Sequence, residues 1–257
     1  MKKRLVSIIL IIICVLNVVP CTSLYAKEEP VEPIITVKYE DIDEIFKDKD
    51  GVIMLSVQGN SPSVTIPENK KASLKINTYY KKLLKVFKQR EKEYIKLAEQ
   101  DYQQRTKEQQ EYWHGYELGE TYSTGRADDK VISFIDNYYE YTGGAHPNGT
   151  RFAQTFSTKT GERLTLNEIL TDVPKATEFI NNFILKETKK YEYKDYFFEG
   201  YEKDIKDILT EDTWYLSDKG LVVVANEYII SPHAVGILEF TIPYEQFSYL
   251  KLEYLPQ

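Results

Sequence analysis

Three side chains in this sequence have an ordinary titration range near neutrality, His114, His146 and His233, so acid–base chemistry at physiological pH would fall first to them. His146 lies in the most sharply punctuated stretch of the chain, Tyr-Tyr-Glu-Tyr-Thr-Gly-Gly-Ala-His-Pro-Asn-Gly at 138–149. Gly143 and Gly144 can adopt backbone angles closed to other residues, and Pro147 biases His146 toward an extended conformation. Pro147, Asn148 and Gly149 suit a tight turn. This pattern predicts His146 held at a loop tip, where it would act as an acid or base oriented by Asp136 or Glu140, or would serve as a contact residue.

The other chemistries lack the spacing they need. Three histidines suffice for a catalytic zinc site, but no two lie within a helical turn and no His-Glu-x-x-His occurs, so no metal and no cofactor is expected. A serine nucleophile elbow, Gly-x-Ser-x-Gly, is absent. Asp41, Asp43, Asp48 and Asp50 crowd together without the glycine and terminal glutamate of a calcium loop, and read as a solvated acidic face. Carboxylates are plentiful, with 40 Asp and Glu residues, yet the separation that defines a glycosidase pair is not written in the sequence. Of the 21 tyrosines, Tyr80, Tyr94 and Tyr102 read as core, whereas Tyr138, Tyr139 and Tyr141 occupy both faces of one strand, so at least one must be exposed or meet a second layer.

The elements that would position these residues alternate between two periods. Val52–Val57 and Ser63–Ile66 read as short strands around a Gln-Gly-Asn-Ser-Pro bend. From about Glu68 to Glu108, Ile76, Tyr80, Leu83, Phe87, Tyr94, Ala98 and Tyr102 form one stripe of a long helix whose aromatic, irregular spacing suits packing across a sheet better than a coiled coil. Alternation returns between Gly115 and Thr142, with Val131, Ser133, Ile135 and Asn137 on one face and Ile132, Phe134 and Asp136 on the other. Strands are expected at Arg151–Ser157 and, after a Lys-Thr-Gly turn, at Glu162–Leu166. A Thr165/Glu168 capping box opens a short helix ending near Asp172 and Pro174, and further helices are expected at Lys175–Lys189 and Tyr201–Leu209. Trp214–Ser217 and Leu221–Ala225 flank a hairpin turn, a loop spans Asn226–Gly236, and Ile237–Ile242 is a last strand. The fold class is α+β: antiparallel sheets with one long and several short helices packed against them.

Lys2, Lys3 and Arg4, an apolar run from Leu5 to Val19, and small or polar residues to Ala26 have the layout of a secretory signal peptide. The run is shorter than the roughly 20 residues that span a bilayer, so membrane association is expected only if the signal is retained or Cys21 is lipidated. Cleavage after Ala26 would remove both cysteines, Cys14 and Cys21, and three cations with no acid, taking the formal net charge from −7 to −10. That charge argues against nucleic acid and favours solubility or a cationic protein partner. The chain divides into a signal at 1–26, an N-terminal α+β segment at 27–157 that includes the Gly-Gly-Ala-His-Pro loop, and a C-terminal α+β segment at 158–257, packed as one unit.

Five ordered motifs carry a resemblance: 138–146, Ser-Thr-Lys-Thr-Gly-Glu-Arg-Leu-Thr-Leu at 157–166, Trp-Tyr-Leu-Ser-Asp-Lys-Gly-Leu-Val-Val at 214–223, Tyr-Ile-Ile-Ser-Pro-His-Ala-Val-Gly at 228–236 and Phe-Thr-Ile-Pro-Tyr at 240–244. Together they resemble the secreted bacterial pair of domains of unknown function numbered 4163 and 3298. That pair forms the extracytoplasmic part of RsiV-type anti-sigma factors, which are lysozyme receptors, and related modules precede polysaccharide deacetylase domains. The resemblance implies a secreted or surface-associated, non-catalytic sensor or binding module whose ligand is a lysozyme-like protein or peptidoglycan. Two departures qualify it: only Met1–Arg4 precede the apolar run, so no sigma-factor partner is expected, and His233 stands where similar sequences often have tyrosine. The contact residues expected on the two loop tips are Gly143, Gly144, His146 and Pro147 on one, and Tyr228, Pro232 and His233 on the other. The alternative is a glycan-modifying hydrolase or deacetylase using His146.

Overall fold

Asn69 opens the longest element. Its side-chain oxygen accepts the backbone N–H of Ala72 at 3.1 Å and caps helix α1 (Lys70–Gln104), satisfying one of the donors left orphaned at a helix N-terminus. This computed structural model describes residues 35–190 and 196–256; the expected signal at 1–26 with its two cysteines lies outside the described residues. At Arg105 and Thr106 the backbone turns extended, and a Thr106/Gln109 capping box starts α2 (Lys107–Glu111), so the single helix expected to Glu108 is divided near its end. Among the described residues no helix is long and apolar enough to cross a membrane.

Helix α1 lies on a five-stranded sheet in the order β1 (Thr36–Lys47), β2 (Ile53–Thr65), β3 (Tyr116–Ala127), β4 (Val131–Tyr141), β5 (Asn148–Ser157). Ala72, Ile76 and Tyr80 pack against Val64, Ile66, Tyr122, Ile132, Phe134 and Phe156. The ring of Tyr80 meets Tyr122 at 5.2 Å and Phe134 at 4.8 Å, both edge-to-face, a geometry worth about 0.5–1.5 kcal/mol per pair beyond the area buried. Farther along, Phe87 and Ala98 cover Leu55, Val57, Tyr116 and Leu118. The long helix thus crosses a sheet of its own unit, as its aromatic stripe predicts.

The sheet departs from expectation in three ways. First, β1 was not anticipated: it is an edge strand, and the acidic residues that protect such an edge, Asp41 and Asp43 among them, disguise its period. Asp48 is instead a turn residue, its Oδ1 accepting the N–H groups of Asp50 and Val52. Second, Gln58–Pro62 does not bend; β2 runs through it as one strand. Its pairing with β3 ends at Gly59, and Val64, two residues beyond Pro62, turns its N–H and C=O to the Asn77 side chain on that same side, at 2.7 and 2.9 Å. Pro62 therefore faces where no ladder bond is lost. Third, β2 and β3 are parallel, Leu55–Gly59 against Tyr116–Glu120; the other pairs in this sheet are antiparallel. A 35-residue helix carries the chain back along the sheet, which a tight turn cannot do.

A second sheet, β6 (Trp214–Leu216), β7 (Gly220–Ala225) and β8 (Leu238–Pro243), is antiparallel and contains the expected hairpin. Helices α3 (Leu166–Ile169) and α4 (Val173–Thr188) contribute Leu166, Ile169, Ala176, Ile180 and Ile184 to its core. The Thr165/Glu168 capping box forms as read. Asp172 and Pro174, however, open α4 rather than close α3: Asp172 caps Lys175 N–H and Pro174 stands in the first turn, where its missing donor is harmless. The strand expected at Glu162–Leu166 shrinks to one bridge, Phe156 with Arg163, and Tyr201–Leu209 forms two 3₁₀ turns, Tyr201–Lys203 and Ile205–Asp207, instead of an α-helix.

The two sheets join through β5, whose Ala153 N–H donates to Asp212 O at 2.8 Å, and through Tyr215, which packs so closely over Gly125 that a Cβ there would lie 2.7 Å from the ring. Arg126, 2% exposed, donates to Tyr254 O at 2.7 Å and to the Tyr244 hydroxyl at 3.1 Å, clasping the C-terminal residues to the β3–β4 turn.

Where β2 leaves β3, a Cβ on Gly59 would lie 2.2 Å from the Glu120 carbonyl oxygen. Gly59→Ala is therefore expected to lower stability by about 2 kcal/mol or more, read as the urea midpoint, whereas Gly51→Ala, which meets no atom but stands at φ 85°, should cost about 1 kcal/mol. Equal losses at the two positions would refute the close-approach account.

Candidate functional site

The aromatic end of β4 divides its side chains between two faces. Tyr138 turns toward α1, where its hydroxyl donates to Glu140 Oε2 at 2.7 Å and Arg90 stands 4.7 Å above its ring. Tyr94 of α1 also donates to Glu140. Burial pushes the Glu140 carboxyl up, but the hydrogen bonds from Tyr138, Tyr94 and Asn148 outweigh it and hold the group below its usual range. Tyr139, on the opposite face, is 37% exposed and donates to Glu117 at 2.7 Å. Tyr141 folds its hydroxyl onto Gly144 O at 3.0 Å and pins the loop that follows.

That loop joins β4 to β5 within one sheet. Residues 147–149 do not turn, because Asn148 and Gly149 already pair with Glu140 and Tyr139; the reversal is made ahead of them, with Gly143 at φ 88°. His146 is exposed at the tip, its Nδ1 2.9 Å from Pro147 O. A carbonyl oxygen only accepts, so Nδ1 carries the hydrogen and Nε2 of the neutral ring is an acceptor.

The loop at 226–236 is anchored at both its start and its middle. Asn226 accepts the N–H of Arg151 at 2.7 Å and donates to the C=O of Arg151 at 2.9 Å, adding a side-chain amide to the edge of β5. Ile230 and Ser231 are buried, and Phe198 N–H bonds Ile230 O. Between these anchors Tyr228 is forced to φ 66°, the one non-glycine residue at positive φ among those described, at a cost of about 1–3 kcal/mol. Its ring is 55% exposed. Pro232 leads into a 3₁₀ turn that carries His233.

The two tips meet. The rings of His146 and His233 stack at 3.9 Å and 14°, Tyr228 OH reaches His146 Nε2 at 3.3 Å, and His233 Nδ1 bonds Glu227 Oε2 at 2.6 Å. Of the residues read from the sequence, His146, Tyr228 and His233 are brought into contact. Pro147 supplies a carbonyl, while Gly143, Gly144 and Pro232 shape backbone. His114 is not part of the cluster. The orienting carboxylates expected for His146 are placed elsewhere: Glu140 is committed to Tyr94 and Tyr138, and Asp136 faces α1 on the other side of the sheet from Asn137. The cluster's carboxylate is Glu227, which the sequence reading passed over, and it holds the other histidine.

Residues 48–149 match a family model described as Deacetylase PdaC, and residues 167–245 match one described as a protein of unknown function, DUF3298. The segment similar to the PdaC model is followed along the chain by the one similar to the DUF3298 model. A DUF3298 family member from Bacteroides fragilis superposes with a TM-score of 0.62 at 19% identity, covering 85% of this chain and 94% of that one. A DUF3298 family protein from Pseudomonas aeruginosa does so with a TM-score of 0.56 at 13% identity, covering 88% and 98%. At these identities the likeness is one of fold. None of the curated proteins matches the chain. The segment that matches the PdaC model contributes His146 to the cluster, and the one that matches the DUF3298 model contributes Glu227, Tyr228 and His233.

Asp136 has a separate situation. It is 5% exposed, and one carboxylate oxygen has no hydrogen-bond partner among the described residues. Burial, then the charge of Glu120 on the adjacent strand, pushes its pKa from 3.8 up to about 8. The folded chain therefore keeps a proton that the unfolded chain releases above its ordinary carboxylate pKa, so stability falls as pH rises from about 4 to about 8. Asp136→Asn removes this penalty, and denaturation at pH 5 and pH 8 should show the variant more stable than wild type at pH 8 by about 2–5 kcal/mol, with a smaller difference at pH 5. A variant less stable than wild type at pH 8 would contradict this assignment.

Proposed function

We propose that the protein is a non-catalytic binding module of the bacterial cell envelope, secreted or held at the outer surface, which engages a lysozyme-like protein through Tyr228, His146 and His233. The observation that carries the proposal is Tyr228 itself: a large ring, over half exposed, kept on strained backbone and braced by an imidazole from another loop. Strain persists where surrounding structure imposes it, and exposed aromatic anchors on preorganised loops are the usual centres of protein recognition. Lysozyme-like proteins are cationic, and the charge of −10 expected after signal removal supports attraction to one.

The enzymatic alternative has less support. One matched family model is described as a deacetylase, but His146 has one ring nitrogen on Pro147 O and the other on Tyr228 OH, and no carboxylate among the described residues bonds it. The carboxylate bond belongs to His233.

Lysozyme binding measured by calorimetry should weaken as salt rises, and Tyr228→Ala and His146→Ala should each weaken it by about tenfold or more while the circular dichroism spectrum is kept. Binding to intact peptidoglycan but not to lysozyme would replace the protein ligand with the wall itself. Release of sugar or acetate from peptidoglycan, abolished by His146→Ala, would overturn the non-catalytic reading.

A further inference from the structure

Helix α1 packs chiefly over β2 and β3, its first turns also reach β4 and β5, and beside its middle the 136–138 and 150–154 stretches of those two strands are left open, so a cleft of about 410 Å³ opens along the helix. Its wall on the α1 side includes Tyr79 and Arg90, and the sheet supplies Glu120 from β3, Asp136 and Tyr138 from β4 and Phe152 from β5. These sheet residues share a face by register: Asp136 pairs with Tyr122 and Phe152, and Tyr138 with Glu120 and Thr150. Phe152 remains 36% exposed, whereas Phe134 and Phe156 on the same face are fully buried.

Asp136 is the feature without a structural purpose. A carboxyl group buried this deeply is ordinarily paired, because an unmet oxygen costs about 1–3 kcal/mol. Here one oxygen faces no donor among the described residues, at the floor of a cleft far larger than a single water requires. A polar group from outside the chain would complete it. A hydroxyl group suits a protonated carboxyl, because it can both give a hydrogen to the carbonyl oxygen and accept the carboxyl's own, whereas an ammonium group can only donate. Rings on both walls favour a ligand that has C–H faces as well as hydroxyls.

We propose that this cleft is a saccharide-binding site, in which a sugar ring lies against Phe152 and Tyr138, exchanges hydroxyl hydrogen bonds with the Asp136 carboxyl and gives a hydroxyl hydrogen to Glu120, with Arg90 donating to its oxygens. The charged groups facing it are Arg90 from α1, Glu120 from β3, Asp136 from β4 and Asp212 from the segment before β6. The site shares no residue with the Tyr228 cluster and stands or falls independently of it.

Titration of the protein with chitotetraose and cellotetraose at millimolar concentration, followed by amide chemical shifts, should move resonances of β4, β5 and the middle of α1. Phe152→Ala and Glu120→Gln, both at least partly exposed positions that spare the core, should each weaken binding by about tenfold, the loss of one stacking ring or one charged acceptor. Tyr228→Ala should bind as wild type does. The proposal is overturned if neither tetrasaccharide shifts cleft resonances, if both cleft variants bind unchanged, if Tyr228→Ala abolishes binding, or if spermidine binds the cleft while the sugars do not.

Discussion

Three asparagine side chains complete backbone pairing where the strand ladders stop, and the placement of every other layer depends on them. Asn60 bonds both the N–H and the C=O of Tyr122 where β2 diverges from β3. Asn77 does the same for Val64 from within α1, and Asn226 for Arg151 at the edge of β5. A carboxamide presents one acceptor and two donors, so it can stand in for one residue of a neighbouring strand. A strand edge buried without such a partner would leave two backbone groups unmet. Asn77 therefore fixes how far α1 stands from β2, and Asn226 fixes how near the 226–236 loop comes to β5. The meeting of His146 with His233 follows from the second of these, because β5 begins where the His146 loop ends.

Charge is distributed with equal economy. Between Lys70 and Lys92 the long helix carries nine cations and a single acid, Glu91, in a chain that is acidic as a whole. Part of that charge is tied down: Lys88 bridges Glu44 of β1 and Glu91 of its own helix, and Lys75 pairs with Glu162 beyond β5. These partly exposed pairs are worth little each. Their positions at opposite ends of the sheet nevertheless oppose rotation of the helix about its aromatic seam.

What the sequence made legible was local. Alternation at Val131–Asn137, the Asp-Lys-Gly hairpin and the Thr165/Glu168 capping box each depend on residues within a few positions of one another, and each formed. Whatever depended on a distant partner was hidden. The strand β1 reads as a solvated acidic face until β2 pairs with it; Glu162–Leu166 has strand composition but finds only one bridging residue. At the site, His146, Tyr228 and His233 were legible one by one, as exposed rings on punctuated loops, while their contact across more than eighty residues was not. Glu227 carried a readable signal, a carboxylate six residues before a histidine in the same loop. Asp136 was legible as sharing a face with Ile132 and Phe134, but its nearness to Glu120 was not, since the register of β3 against β4 is what sets the two diagonally on one face.

Two residues oppose the fold that holds them. Glycine at position 228 would relieve the positive φ, and asparagine at position 136 would relieve a buried acid; the chain keeps a tyrosine at the first and an aspartate at the second. Tyr228 stands in the 226–236 loop and Asp136 on the α1 face of β4, with no hydrogen bond or ring contact between them, so one compensation elsewhere cannot account for both. Local rules broken at a cost without a structural return are the mark of residues retained for what they meet outside the chain. Tyr228 offers an exposed ring with a hydroxyl already oriented, the requirement for docking a surface. Asp136 offers a sheltered oxygen, the requirement for holding a small polar group away from water. The differing character of the two violations is the reason to assign them to different ligands rather than to one.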